Sequence, residues 1–192
     1  LGAKVLNVFF FFCTGRGEEL TDITPEQYEE VLSYLLESQD KYQDMLVRAR
    51  CAPHFKRLAY EKDPNSPITK AQGYMGGGCL AGTNYARVTP NGDLTPCPYM
   101  PLSAGNIREN SFVDLWEHSE IFNSFRYPHL KGKCGDCEYS EICGGCRARP
   151  YVDHGDWMDE DEWCLYTPKG GEKIQVSFNV PEASSVEWDP AA

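Results

Sequence analysis

The sequence predicts an α+β fold in two parts, β/α elements first and then a small cysteine-rich region organised by metal. Three observations predict it. Residues 1–70 alternate strand, loop, helix and strand, the repeating unit of an α/β sheet or barrel. Residues 85–99 read as a tight hairpin followed by short amphipathic helices. Residues 131–168 are rich in Cys, Gly and acidic side chains and poor in apolar ones, so a hydrophobic core cannot organise them and metal can.

Each element has a local cause. Lys4 to Phe12 is a continuous apolar run, as expected for a strand buried on both faces. Thr14-Gly15-Arg16-Gly17 is a Gly-rich turn at its C-terminal end. Thr24-Pro25-Glu26-Gln27 then opens a helix, with Thr24 as N-cap, Pro25 at the first helical position and Gln27 closing a capping box. Tyr28, Val31, Leu32, Leu35 and Leu36 share one face at helical spacing. A second strand is expected over Met45 to Ala49. Further on, Pro90-Asn91-Gly92-Asp93 joins the hairpin arms Tyr85 to Thr89 and Leu94 to Tyr99. Ser111 is placed to cap a helix carrying Phe112, Leu115 and Trp116, and a further helical stretch carries Phe122 and Phe125. A strand is expected over Ile174 to Phe178, in an otherwise polar tail.

Composition limits the function. A net charge of −11 without a basic stripe argues against a nucleic-acid partner, because such binding depends on Lys and Arg neutralising phosphates. The longest apolar run, Val8 to Phe12, falls far short of the roughly 20 residues of a membrane helix. No signal-peptide pattern opens the sequence. The expectation is a soluble, cytoplasmic protein without a membrane partner. Because the sequence begins at Leu1 and stops just after Asp189-Pro190, a helix start, it reads as a fragment of a longer chain.

Nine cysteines in 192 residues need a cause, and four of them crowd between Cys134 and Cys146. The spacing is Cys79-x12-Gly92-x4-Cys97, then Cys134-x2-Cys137-x5-Cys143-x2-Cys146, then Cys164. Thiolates two residues apart can grip one metal centre, since the turn between them aims both sulfurs inward. Disulfides need an oxidising compartment and leave a cysteine over. Structural zinc wants closed tetrahedral sites, so seven thiolates fill one and leave a second short. Iron–sulfur clusters fit best, because a cubane tolerates three protein thiolates. Cys13 and Cys51 stand alone and read as packed core cysteines.

This seven-cysteine pattern resembles the SPASM domain, the auxiliary-cluster module of many radical S-adenosylmethionine (SAM) enzymes. The resemblance covers residues 79–168; the one departure is the two-residue gap between Cys143 and Cys146, where the family has three. It implies two auxiliary [4Fe–4S] clusters, an inner one held by Cys79, Cys97 and Cys146 and an outer one by Cys134, Cys137, Cys143 and Cys164. The inner cluster then lacks a fourth cysteine; either one iron is open to substrate or a non-Cys ligand, Asp93 or a tyrosine, completes it. Residues 1–70 are similar to the last strands of the partial (β/α)6 barrel that precedes this module. The implied division is 1–70 barrel, 71–168 SPASM domain and 169–192 C-terminal extension. The words CTGRGEEL, CAPHF, GGGCLAG, PNGDLTPCPYMPLSAGNIRE and LKGKCGDCEYSEICGGCRARPY resemble the subfamily of heme and heme d1 biosynthesis. That implies an oxidoreductase or decarboxylase acting on propionate side chains of an iron tetrapyrrole, served by an electron donor such as ferredoxin or flavodoxin. A peptide maturase is the second reading; an electron-transfer module and a zinc-stabilised interaction domain stand behind it.

The C-x3-C-x2-C that would hold a SAM-cleaving cluster does not occur in this sequence, so SAM and a third [4Fe–4S] cluster are expected on the remainder of a longer protein. Arg16 is placed to pair with the SAM carboxylate through its fork of donors, or is a solvated turn residue. Cys51 and His54 stand where a barrel strand ends; they read first as a packed cysteine and a satisfied histidine, with an active-site role as the alternative. Tyr99 and Met100, after Cys97, read first as core residues, with the lining of a substrate pocket as the alternative. Asp153, Asp156, Asp159, Glu160, Asp161 and Glu162 read as one solvated acidic face.

Overall fold

The computed structural model of the chain describes residues 2–12, 17, 23–70 and 78–175. Strand β1 (Val5–Phe9) runs parallel to β2 (Leu46–Arg50), with Val5 opposite Leu46 and Phe9 opposite Arg50. Between them lies α1 (Pro25–Lys41), so the unit is β–α–β. The capping box forms as the sequence predicts: the Thr24 amide donates to Gln27 Oε1 at 2.9 Å and the Gln27 amide to Thr24 Oγ1 at 3.3 Å. The helix turns Tyr28, Leu32, Leu35 and Leu36 onto the strands, where they bury with Phe10, Val47, Ala52, Phe55 and Ala59. The Phe10 and Tyr28 rings meet edge-on at 4.5 Å.

One expectation needs correction here. The first strand is shorter than Lys4–Phe12 and is not buried on both faces: Val5, Leu6 and Phe9 are exposed, Phe9 to 65%. Among the described residues β1 pairs with β2 alone, so its outer edge and one face meet no neighbour. The segment CAPHF follows β2 directly, as expected, with Cys51 at the strand's end. The chain leaves β2 at Arg50 and enters α2 (His54–Lys62) within four residues. This helix packs along α1, held by Arg57, which forms ion pairs with Glu29 of α1 and with its own Glu61 at 2.9 Å. A single turn, α3 (Pro67–Lys70), follows.

The second half is built from short pieces. Strands β3 (Arg87–Val88) and β4 (Leu94–Thr95) form the predicted antiparallel hairpin, although each is only two residues long. Its turn closes through Thr89 N to Asp93 O and Gly92 N to Thr89 O, both 2.9 Å, with Gly92 at φ +94°. Helices α4 (Phe112–His118) and α5 (Glu120–Arg126) share Ser119, which ends the first and caps the second through Phe122 N at 3.2 Å. Ser111 stands at the N-cap of α4 but makes no side-chain cap bond. Leu115 and Phe122 bury with Leu94, locking the helices onto the hairpin. Two small helices, α6 (Gly132–Asp136) and α7 (Ala148–His154), frame the cysteine-rich region. Ile174 and Gln175 are not in a strand; the rest of the expected strand and the 189–190 helix start lie outside the described residues. No helix among the described residues is long and apolar enough to cross a membrane.

Candidate functional site: two groups of thiols

All eight described cysteines are free thiols. They divide in space. Cys134, Cys137, Cys143 and Cys164 line one small cavity, together with Gly144 and Gly145. Cys79, Cys97 and Cys146 lie in another place, in an apolar cluster with Phe12, Met100 and Phe125. The hairpin makes the second group: Cys79 precedes it and Cys97 follows its second strand. Among the described residues no three His, Cys, Asp or Glu side chains are drawn together as a site for a single metal ion.

The turn Cys143-Gly144-Gly145-Cys146 separates the groups. Both glycines are left-handed, at φ +63° and +67°, so the chain reverses and carries Cys146 away from Cys143. A Cβ on Gly145 would sit 2.6 Å from Arg147 Nη2, 2.9 Å from Asp161 Cβ and 3.2 Å from Cys134 Sγ. Gly145→Ala is therefore expected to cost about 2–4 kcal/mol, combining backbone strain with overpacking. Gly155→Ala, at φ +76° with nothing within 4 Å, keeps the strain without the clash and is expected to cost about 1–2 kcal/mol. Denaturant unfolding of the two variants checks the difference.

Sulfur is met by hydrogen-bond donors in both groups. The Tyr99 amide points at Cys97 Sγ at 3.5 Å and the Tyr139 amide at Cys137 Sγ at 3.4 Å. Cys134 Sγ accepts from the Asp161 amide at 3.5 Å and from Arg147 Nη2 at 3.7 Å. Such N–H···S bonds stabilise thiolates that carry charge onto a metal. Burial alone works the other way. It raises the Cys97 thiol to about 12 and the Cys164 thiol to about 11, and lifts Cys143 and Cys146 well above the usual thiol range. Enclosed thiols of this kind ionise only beside a strong positive charge, and metal-bound thiols are deprotonated outright. The all-sulfur donor set and its amide donors fit iron–sulfur clusters.

Between the two groups stands a charged network. Asp161 is fully buried; its Oδ2 accepts from the Cys146 amide at 2.7 Å and from Arg149 Nη1 at 3.3 Å. The Asp161 amide in turn reaches Cys134, so one residue touches both thiol groups. Arg149, 4% exposed, spreads its guanidinium over Trp163 (4.2 Å), Phe12 (4.9 Å) and Tyr28 (5.0 Å). His54 completes the network, with Nδ1 2.9 Å from the Tyr28 hydroxyl and Nε2 3.5 Å from Asp161 Oδ2. Burial lowers its pKa to about 4, so the ring is neutral near pH 7. Burial would raise the Asp161 carboxyl, but His54, Arg149 and the Cys146 and Trp163 amides outweigh it and hold it below the usual carboxylate range.

The acidic run is thus not one solvated face. Asp153 and Glu162 are exposed, whereas Asp161 is at the centre of the molecule and Glu160 Oε2 accepts from the Lys133 amide at 2.6 Å. Sequence reasoning missed Asp161, Arg149 and Arg147. The signal available was position: Asp161 lies three residues before Cys164, on a segment that a ligating cysteine must pull inward. Asp93 is spoken for by the hairpin, accepting from Thr89 Oγ1 at 3.3 Å and Asn106 Nδ2 at 3.2 Å. Met100 is buried, as expected. Arg16 and Cys13 lie outside the described residues.

Residues 79–147 match the family model described as SPASM, an iron–sulfur cluster-binding domain. The match places a SPASM domain over those residues. It is 43% identical over 174 residues to the AdoMet-dependent heme synthase of Methanosarcina barkeri, covering 88% of this chain and 50% of that protein. It is 32% identical to the PqqA peptide cyclase of Rhizobium meliloti, over 86% of this chain and 42% of the cyclase. The chain therefore spans about half the length of the curated relatives it matches. Among solved structures, Streptococcus suis SuiB bound to S-adenosylmethionine superposes with a TM-score of 0.58 at 19% identity, over 85% of this chain and 39% of SuiB. At that identity the likeness speaks for the SPASM protein's mixed helix–strand fold alone.

Proposed function

We propose that this chain is the auxiliary-cluster half of a radical SAM enzyme that modifies propionate side chains of an iron tetrapyrrole. The observation that carries it is the 43% identity to an AdoMet-dependent heme synthase along 88% of the chain. Residues 1–70 are the last β/α elements of a partial (β/α)6 barrel, residues 71–168 the SPASM domain and residues 169–192 an extension. The β–α–β unit and the exposed apolar side of β1 support that reading, because preceding barrel strands would cover it.

In this reading Cys79, Cys97 and Cys146 hold an inner [4Fe–4S] cluster, and Cys134, Cys137, Cys143 and Cys164 hold an outer one. The grouping of the thiols and their N–H···S donors support the assignment. When bound, the inner cluster supplies a place for the electron left on the substrate, or a point of attachment for the substrate itself. The chain's own part is to set that cluster's surroundings: Tyr99 N–H on a sulfur, Met100 and Phe125 excluding water, Asp161 tying it to the outer group. SAM and its reductively cleaved cluster belong to the preceding part of the protein, with Arg16 reaching the SAM carboxylate. A ferredoxin or flavodoxin is the electron donor, in the cytoplasm.

The second reading, a peptide maturase, is favoured by the match to a PqqA peptide cyclase. The test is to supply the full-length, anaerobic protein with SAM and a reductant, and to offer either an iron tetrapyrrole bearing propionates or a candidate precursor peptide. The proposal expects a mass change on the tetrapyrrole alone. Modification of the peptide alone overturns it.

A further inference from the structure

We infer that Cys51, at the end of β2, supplies the fourth thiolate of the inner cluster. The inference rests on the proposed reading that Cys79, Cys97 and Cys146 hold such a cluster, and it adds the ligand that reading lacks.

The observation that carries it is a fourth sulfur among the other three. Cys51 packs in the same apolar cluster as Cys79, Cys97 and Cys146, although it is 28 residues before the first of them. It is close enough to feel the charge of Cys79, and its own charge reaches Cys97. No cysteine of the outer group is among its neighbours in that cluster. Spacing could not reveal this, because Cys51 comes from the β/α part and the other three from the cysteine-rich part.

Its backbone is held there by the inner group's own scaffold. Arg149 stands three residues after Cys146 and donates from Nη2 to the Cys51 carbonyl at 3.2 Å. Its other nitrogen is on Asp161, which takes the Cys146 amide. One guanidinium therefore sets the position of Cys51 relative to Cys146. Cys51 is also the one described non-glycine residue with positive φ, +57°. That conformation costs about 1–2 kcal/mol in a residue with a Cβ. It reverses the chain between β2 and α2, and it is kept here by the carbonyl bond from Arg149.

The rivals for the fourth position are less well placed. Both Asp93 carboxylate oxygens are already hydrogen-bonded, one to Thr89 and one to Asn106. Tyr99 is in the same cluster, but its side chain is hydrogen-bonded to Cys51, which makes it a neighbour of the sulfur. A cluster with four thiolates has no open iron. The consequence is chemical: the inner cluster would take an electron and would not bind substrate.

The test uses full-length protein, reconstituted anaerobically, with cluster state read by Mössbauer and EPR spectroscopy. In the unsubstituted protein, cyanide should leave the spectrum of the reduced inner cluster unchanged. A cyanide-shifted signal means an open iron and overturns the inference, whether or not any variant folds. Cys51→Ala should keep the outer cluster and produce an inner cluster that binds cyanide or loses one iron on oxidation to give a three-iron signal. Cys51→Ala with inner-cluster spectra like those of the unsubstituted protein overturns it, as does a Tyr99→Phe variant that alone opens the iron. Failure of the underlying reading looks different: Cys79→Ala would then leave the cluster spectra unaltered.

Discussion

Replacing Arg149 by methionine should destabilise the protein by about 3–5 kcal/mol, the usual cost of leaving a buried charge without its partner. Asp161 is fully buried and would keep only a neutral His54 and two amides. The loss also removes a guanidinium that stacks on three aromatic rings and holds the Cys51 carbonyl. In a chain of 192 residues this corresponds to a melting temperature lower by roughly 6–20 °C. The double variant Arg149→Met, Asp161→Leu should recover part of the loss, because no lone charge is left inside. A double variant as unstable as the sum of the two singles would mean that the pair is not coupled.

The second large effect is on metal content. A Cys79→Ala, Cys97→Ala double variant leaves too few thiolates for the inner cluster and should lower iron from about eight to about four per chain, the outer cluster remaining. A Cys134→Ala, Cys137→Ala double variant should lose the other four and, with them, the order of residues 131–143, which have little apolar material of their own. Iron analysis, with proteolysis to report local order, checks both. Loss of all iron in both variants would show that the two groups fold as one unit. That outcome would point to Asp161, whose amide meets Cys134 while its carboxylate holds Cys146 in place.

Much of this arrangement was legible in the sequence where the cause is local. The capping box of α1 and its buried face follow from Thr24, Gln27 and the spacing of Tyr28, Leu32, Leu35 and Leu36. The hairpin follows from Asn91-Gly92. What was hidden depends on partners far away in the chain. Asp161 is one acid among six, and only the fold brings Arg149 and His54 to it. Helix α2 begins after a proline at a position with no side-chain cap, so CAPHF carries no start signal. The exposure of β1 was unreadable for the opposite reason: its pattern describes a strand with neighbours on both sides, and among the described residues it has one.

Anaerobic purification followed by iron and acid-labile sulfide analysis tests the central claim most directly, that these thiols are knitted around iron and sulfide. The account predicts a brown protein with about eight of each per chain in this region, over and above any cluster elsewhere in the full-length chain. A colourless, iron-free protein that is fully folded, or one that holds zinc in place of iron, would contradict it.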